Sequence, residues 1–231
     1  MIKNHLLKSP KYYPKRPDWN QKVYMPVSMN NRLLRDEKSL QEILRWVFEH
    51  TDHLEAVIGD FLHRHNLMIA GATHQEAIEK SIHLGDELTK NLLAAMQYFP
   101  GKQLSIRPSS LFYKTQVFEQ RLSHFENLYM TNPVFISEID FLIHQFLSRQ
   151  GHIDGNSFQL EHCKKYLLEE LVIFEILAEE GVLINVYPGK QLRIFKKIVT
   201  GELPGVSTEL EKVSLVEMRF RPNYLARLIK K

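Results

Sequence analysis

Tyr166 and Glu170 lie four residues apart in a run that reads as one helix from about Phe158 to Leu177. That spacing puts both on one helix face, which continues through Ile173, Phe174 and Leu177. The other faces carry Leu167, Leu168, Leu171, Val172 and Ile176, so the helix is apolar nearly all round and belongs in an interior. A carboxylate there is costly unless it meets a cation. Three readings follow: an Arg or Lys from elsewhere in the chain satisfies Glu170, Glu170 is simply exposed, or Glu170 is held to bind a cationic group. The next apolar run, VLINVY, closes on Tyr187. Tyr166 and Tyr187 read equally as ordinary core tyrosines.

The elements that must position these groups alternate between the two helical and extended periods. A strand from Lys22 to Ser28 ends in the polar turn Ser28-Met29-Asn30-Asn31. A helix follows over about Glu37 to Glu49, with Leu40, Ile43, Leu44 and Val47 at helical spacing. LEAVIGDF reads as a second strand closing on Asp60, with His63-Arg64-His65-Asn66 as a polar turn after it. A long helix from about Thr73 to Tyr98 stops at Pro100-Gly101, and a third strand covers Gln103 to Pro108. Helices over about Tyr113 to Tyr129 and Phe135 to Gln150 precede the apolar helix. After VLINVY come a helix over about Gln191 to Thr200 and a last strand, KVSLVEMRF. This order implies an α/β fold, a mainly parallel sheet with helices on both faces. Ligands in such sheets sit beyond the C-terminal strand ends, where Ser28, Asp60 and Tyr187 fall.

Residues 1–20, with Pro10, Pro14 and Pro17 among Tyr12, Tyr13 and Trp19, read as an extended arm, and residues 21–231 as a single domain. The net charge of +3 hides an uneven distribution. Lys3, Lys8, Lys11, Lys15, Arg16 and Lys22 face one acid in the first 22 residues. Lys212, Arg219, Arg221, Arg227, Lys230 and Lys231 face one acid in the last 20. Two basic ends on an acidic middle suit either solubilising tails or a polyanionic partner.

The absent motifs narrow the chemistry. No GxxxxGK[ST] loop or strand-following GxGxxG occurs, and Ser28 has no GxSxG elbow. These gaps argue against nucleotide hydrolysis, dinucleotide redox chemistry and an α/β-hydrolase. The single cysteine, Cys163, provides neither a disulfide framework nor a zinc cluster. His50, His53, His63, His65 and His74 read as polar loop residues or helix caps, so no metal is expected. The N-terminus lacks the apolar core of a signal peptide, and no run is long enough to span a membrane. The expectation is a cytoplasmic protein with no membrane partner.

Val27-Ser28-Met29-Asn30-Asn31, Tyr166-Leu167-Leu168-Glu169-Glu170 and Tyr187-Pro188 occur in the order and spacing of the tRNA-dependent cyclodipeptide synthases. With the GDFLHRHN segment, the resemblance covers most of the chain. Tyr187-Pro188 is similar to the Tyr-Pro subgroup. Asn31 matches a residue of the other subgroup, and Pro26 stands where many members have glycine. The resemblance implies a Rossmann-like fold similar to the catalytic domain of class I tyrosyl- and tryptophanyl-tRNA synthetases. It implies two aminoacyl-tRNA substrates, a cyclic dipeptide product, no ATP, no metal and no DNA partner. A monomer is expected.

By the same resemblance, Ser28 forms the ester intermediates, while Tyr166 and Glu170 receive the α-ammonium and Tyr187 completes the catalytic set. Asn31, Val27, Ile173 and Asn185 are candidate substrate contacts from their places beside the motifs. Family members often carry a basic patch on a helix corresponding to residues 73–98. Here that stretch sets Glu76, Glu79, Asp86 and Glu87 against Lys80 and Lys90. The phosphate contacts are therefore expected from Lys8, Lys11, Lys15, Arg16, Arg219 and Arg221, with Arg227, besides Lys80 and Lys90. Two other functions fit the same residues: a non-catalytic synthetase-like module that binds tRNA or another anion, and a tRNA-independent serine acyltransferase or hydrolase.

Overall fold

The computed structural model describes residues 7–151 and 155–221. Six strands form one sheet: β1 (Leu7–Tyr13), β2 (Lys22–Val27), β3 (His53–Ile58), β4 (Gln103–Pro108), β5 (Val182–Pro188) and β6 (Ser214–Phe220). Their spatial order is β1-β6-β5-β2-β3-β4. Every pair is parallel except β1 with β6. The chain builds outward from β2 through β3 to β4, then returns to lay β5 on the other side of β2. The β2/β5 boundary is thus the topological switch point, where a doubly wound sheet opens a crevice.

The helices are α1 (Arg32–Arg35), α2 (Glu37–Phe48), α3 (Asp60–Ile69), α4 (His74–Met96), α5 (Gln116–Thr131), α6 (Pro133–Arg149), α7 (Ser157–Glu179) and α8 (Arg193–Val199). Local chemistry fixes their starts. Thr73 with Glu76 and Asn156 with Gln159 form capping boxes on α4 and α7, and Asn132 caps α6 ahead of Pro133. One core lies between the sheet and α5–α8, including Tyr24, Leu171 and Phe195. A second core on the other face packs Val23, Met25, Ile43, Leu88 and Ile184. Period-two alternation in β2 sends Tyr24 to the first core and Val23, Met25 and Val27 to the second. Each fully buried aliphatic side chain contributes roughly 1.5–3 kcal/mol.

Three expectations need correction. The segment read as a polar turn after a strand ending at Asp60 belongs to α3, which starts at Asp60 itself. Its polar residues misled because they pack inward: His63, Arg64 and His65 are buried. Within the N-terminal arm, Leu7–Tyr13 is a strand of the sheet, paired with β6 despite Pro10, and an edge strand tolerates that proline. Tyr113 lies in a 3-10 turn over Ser109–Lys114, and α5 starts only after the Thr115 cap.

Candidate active site

Ser28 follows the last residue of β2, and the turn after it is held from three sides. Gly59 N–H donates to the Val27 carbonyl (3.0 Å), and Asn31 N–H donates to the Ser28 carbonyl (3.1 Å). The Asn31 side chain caps α1 by accepting from Leu33 N–H (3.1 Å). Its Nδ2 donates to the Pro188 carbonyl (2.9 Å) at the end of β5. Asn31 therefore ties the serine turn to the strand that carries Tyr187, across the switch point.

Ser28, Tyr166, Glu170 and Tyr187 line one cavity of about 280 Å³. Val27 and Ile173 also line it, while Leu142, Ile143, Phe146 and Phe174 make much of the remaining wall apolar. Asn185 does not line it. The side chain is fully buried behind the wall, where Nδ2 donates to the Tyr24 hydroxyl (2.7 Å) and Oδ1 accepts from Gln191 Nε2 (2.9 Å). Tyr24 and Gln191 were not singled out from sequence. Tyr24 lies inside an apolar run, and only the register pairing it with Asn185 reveals the contact.

The electrostatics single out Glu170. Its Oε2 is buried with no hydrogen-bond partner among the described residues, and burial pushes the carboxyl up to about 8. Burial, with Glu170 and Tyr187 nearby, holds the Tyr166 hydroxyl well above its ordinary range. Burial and the Glu170 charge push Tyr187 up to about 12, against a hydrogen bond from Asn31. Cys163, also at the cavity wall, is pushed by burial to about 11.

The salt-bridge reading first weighed for Glu170 applies to its neighbour. Glu169 accepts from Arg64 Nη2 (2.8 Å), His65 Nε2 (2.9 Å) and Tyr113 Oη (2.6 Å). Burial raises this carboxyl, but His65, Arg64 and Tyr113 outweigh it and hold it below its ordinary value. Burial lowers the His65 imidazole below its ordinary value, against the Glu169 carboxylate that raises it. Its Nε2–H faces Glu169, and its Nδ1 accepts from His162 Nδ1 (2.9 Å). His63 and His65 are thus interior residues rather than loop residues or caps. Asp60 is likewise satisfied, by the Ser109 and Ser110 hydroxyls (2.7 and 3.1 Å).

The expected phosphate-binding residues are scattered. Lys80 and Lys90 are exposed on α4 among its carboxylates. Lys8, Lys11, Lys15, Arg16, Arg219 and Arg221 are exposed on and around β1 and β6, and Arg227 lies outside the described residues. Two cations that sequence reading passed over, Arg149 and Lys190, line the cavity itself.

A mainly parallel sheet with a switch-point cavity of this kind defines a Rossmann-like α/β protein. A cyclodipeptide synthase from Fluoribacter dumoffii superposes with a TM-score of 0.78 at 18% identity, over 92% of this chain and 97% of that one. A Mycobacterium tuberculosis structure, described as showing cyclodipeptide synthetases to be related to type I tRNA synthetases, gives 0.72 at 14%, over 96% and 99%. The enzyme of Candidatus Glomeribacter gigasporarum, bound to Phe-tRNAPhe, gives 0.61 at 20%, over 87% and 89%. No curated protein sequence matches. Residues 18–181 match the family model for cyclodipeptide synthase. The chain belongs to that family of aminoacyl-tRNA-dependent transferases. β5, with Tyr187, lies beyond the matched residues.

Proposed function

We propose that the protein condenses two aminoacyl groups, each delivered as an aminoacyl-tRNA ester, into a 2,5-diketopiperazine through esters on Ser28. The observation that carries this reading is a hydroxyl nucleophile in the same apolar cavity as a carboxylate with an unpartnered oxygen. An aminoacyl ester supplies the α-ammonium that such a carboxylate lacks. In the first step the Ser28 Oγ attacks the ester carbonyl, the bond to the tRNA ribose oxygen breaks, and that oxygen takes the proton. Glu170 and the Tyr166 hydroxyl hold the ammonium and fix the ester beside the serine. The bound amine, once deprotonated, attacks the second aminoacyl-tRNA and releases the second tRNA. The new terminal amine then attacks the Ser28 ester and closes the ring, returning the serine hydroxyl.

Glu170 and Tyr187 stand where protons from these amines are released. Because both substrates arrive as activated esters, neither ATP nor a metal is required. The reaction belongs in the cytoplasm, where aminoacyl-tRNAs are made. Among the described residues, no helix is long and apolar enough to cross a membrane. The Tyr187-Pro188 pair supports placement in the Tyr-Pro subgroup, while Asn31 matches the other subgroup, and a monomer suffices for the site. Purified protein incubated with a mixture of aminoacyl-tRNAs should yield cyclic dipeptides detectable by mass spectrometry. RNase pretreatment and Glu170→Ala should each abolish them. Product that survives RNase would instead identify a tRNA-independent acyltransferase.

A further inference from the structure

Lys8 on β1 and Arg219 on β6 are directly opposite each other in the antiparallel register. Both are exposed, and neither forms an ion pair among the described residues. Like charges facing each other across an antiparallel pair are destabilising, so this arrangement has no folding rationale of its own.

Its position is informative. Pro188 of β5 pairs with Met218 of β6, so Arg219 is level with Gly189, just beyond the strand end that carries Tyr187. Lys190, at the cavity wall, comes next along the chain. With neighbouring strands about 4.8 Å apart, Lys190, Arg219 and Lys8 form a cationic row across β5, β6 and β1. The row runs from the cavity to the edge of the sheet. Arg149 lines the cavity from the C-terminal end of α6, and Arg221 extends the row beyond β6.

Lys15 and Arg16 belong elsewhere. They follow Tyr13, which pairs with Leu215 near the start of β6. From Leu7 to Tyr13 the strand covers about 20 Å, so these two cations lie toward the opposite end of the sheet from the cavity. Helix α4 is unsuited to a polyanion: Glu76, Glu79, Asp86 and Glu87 are exposed beside Lys80 and Lys90.

We infer that the row Lys8–Arg219–Lys190, continued by Arg149, is the surface that receives the phosphates of the acceptor end of the aminoacyl-tRNA, and that Lys15, Arg16 and α4 do not. This inference rests on the tRNA-dependent reading above. A polyanion neutralises the repulsion between Lys8 and Arg219, and releases counterions in doing so. The row would deliver the tRNA 3′ end to Ser28 from the β1/β6 edge.

The test compares Lys8→Gln/Arg219→Gln with Lys15→Gln/Arg16→Gln in full-length protein. The readouts are cyclic-dipeptide initial rates against aminoacyl-tRNA concentration at several salt concentrations, together with thermal stability. The first pair should raise KM on the order of tenfold and flatten the log–log salt slope by roughly one to two. Its thermal stability should hold or rise, because a like-charge contact has gone. The second pair should move KM less than about twofold. Lys190→Gln should reproduce the KM effect alone, which keeps the test decisive if the double variant folds poorly. Equal KM and salt slope for wild type and the row variants would overturn the inference, as would a larger effect from Lys15 and Arg16. Wild-type protein that makes no product from any aminoacyl-tRNA would overturn the underlying reading instead.

Discussion

Glu169 and Glu170 are consecutive on α7 but have opposite surroundings: Glu169 accepts hydrogen bonds from Arg64, His65 and Tyr113, while Glu170 Oε2 has no partner among the described residues. Successive helical residues diverge by about 100°, so one side chain enters the α3 network and the other the cavity. The first carboxylate is structural, and the second is the one the proposed function assigns to the substrate ammonium.

The two glutamates should therefore respond oppositely to substitution. Glu169→Gln leaves Arg64 with a weakened partner in the interior and should lose about 3–5 kcal/mol. The Glu169 carboxyl is held below its ordinary 4.5, so its contribution is present above that pH and is lost as pH falls through the folded value. Glu170 runs the other way. Its carboxyl is raised from 4.5 to about 8, so wild-type stability declines as pH rises across that window. Glu170→Gln should be more stable than wild type by about 4 kcal/mol at pH 8, and equal to it near pH 4. Urea unfolding at several pH values measures both.

The same raised carboxyl should shape catalysis. At pH 7 most Glu170 in the free enzyme is protonated and cannot pair with an ammonium. kcat/KM for aminoacyl-tRNA should therefore show a rising limb as Glu170 ionises toward about 8, cut off above it as the substrate α-ammonium, with an ordinary pKa of about 7.7–8.0, loses its proton, on initial rates corrected for ester hydrolysis. Glu170→Gln should flatten that limb and lower kcat/KM by at least about 100-fold. A limb unchanged in the glutamine variant would assign it to another group.

From the cavity wall inward, Gln191 donates to Asn185 and Asn185 donates to Tyr24. Burial, followed by an opposing hydrogen bond from Asn185 and then the Glu170 charge, sets the raised Tyr24 hydroxyl. Tyr24→Phe strands the Asn185 amide and should lose about 1–3 kcal/mol. Asn185→Leu breaks both contacts at once and should lose at least as much. Thermal unfolding of the two variants checks the order.

Gly85 is the place where α4 approaches the start of α3. A Cβ there would meet the Asp60 Cβ at 2.7 Å. Asp60 cannot yield easily, because Ser109 and Ser110 fix its carboxylate. Alanine gains about 1 kcal/mol of helix propensity, but the overlap costs about 1–3 kcal/mol. Gly85→Ala should therefore destabilise by up to about 2 kcal/mol in denaturant unfolding.

Much of the scaffold was legible because its periodicity is strong. Leu40, Ile43, Leu44 and Val47 identified α2, the apolar run 158–177 identified α7, and the alternation of elements implied the parallel sheet. The cavity was legible as separate strand ends and one helix face, which the switch point gathers together. What stayed hidden depends on partners distant in sequence. His63-Arg64-His65-Asn66 looks like a turn until Glu169, about a hundred residues away, is brought beside it. Asn185 looks like a cavity residue until its register with Tyr24 turns it inward. β1 looks like an arm because its partner strand is at the far end of the chain.

Formation of a covalent ester on Ser28 is the central claim, and intact-protein mass spectrometry tests it most directly. After brief incubation with a single labelled aminoacyl-tRNA and an acid quench, wild-type protein should carry one aminoacyl increment, mapped by digestion to the peptide containing Ser28. Ser28→Ala should carry none. Wild-type protein with no increment while product accumulates, or a Ser28→Ala protein that still makes cyclic dipeptide, would contradict the assignment of Ser28 as nucleophile.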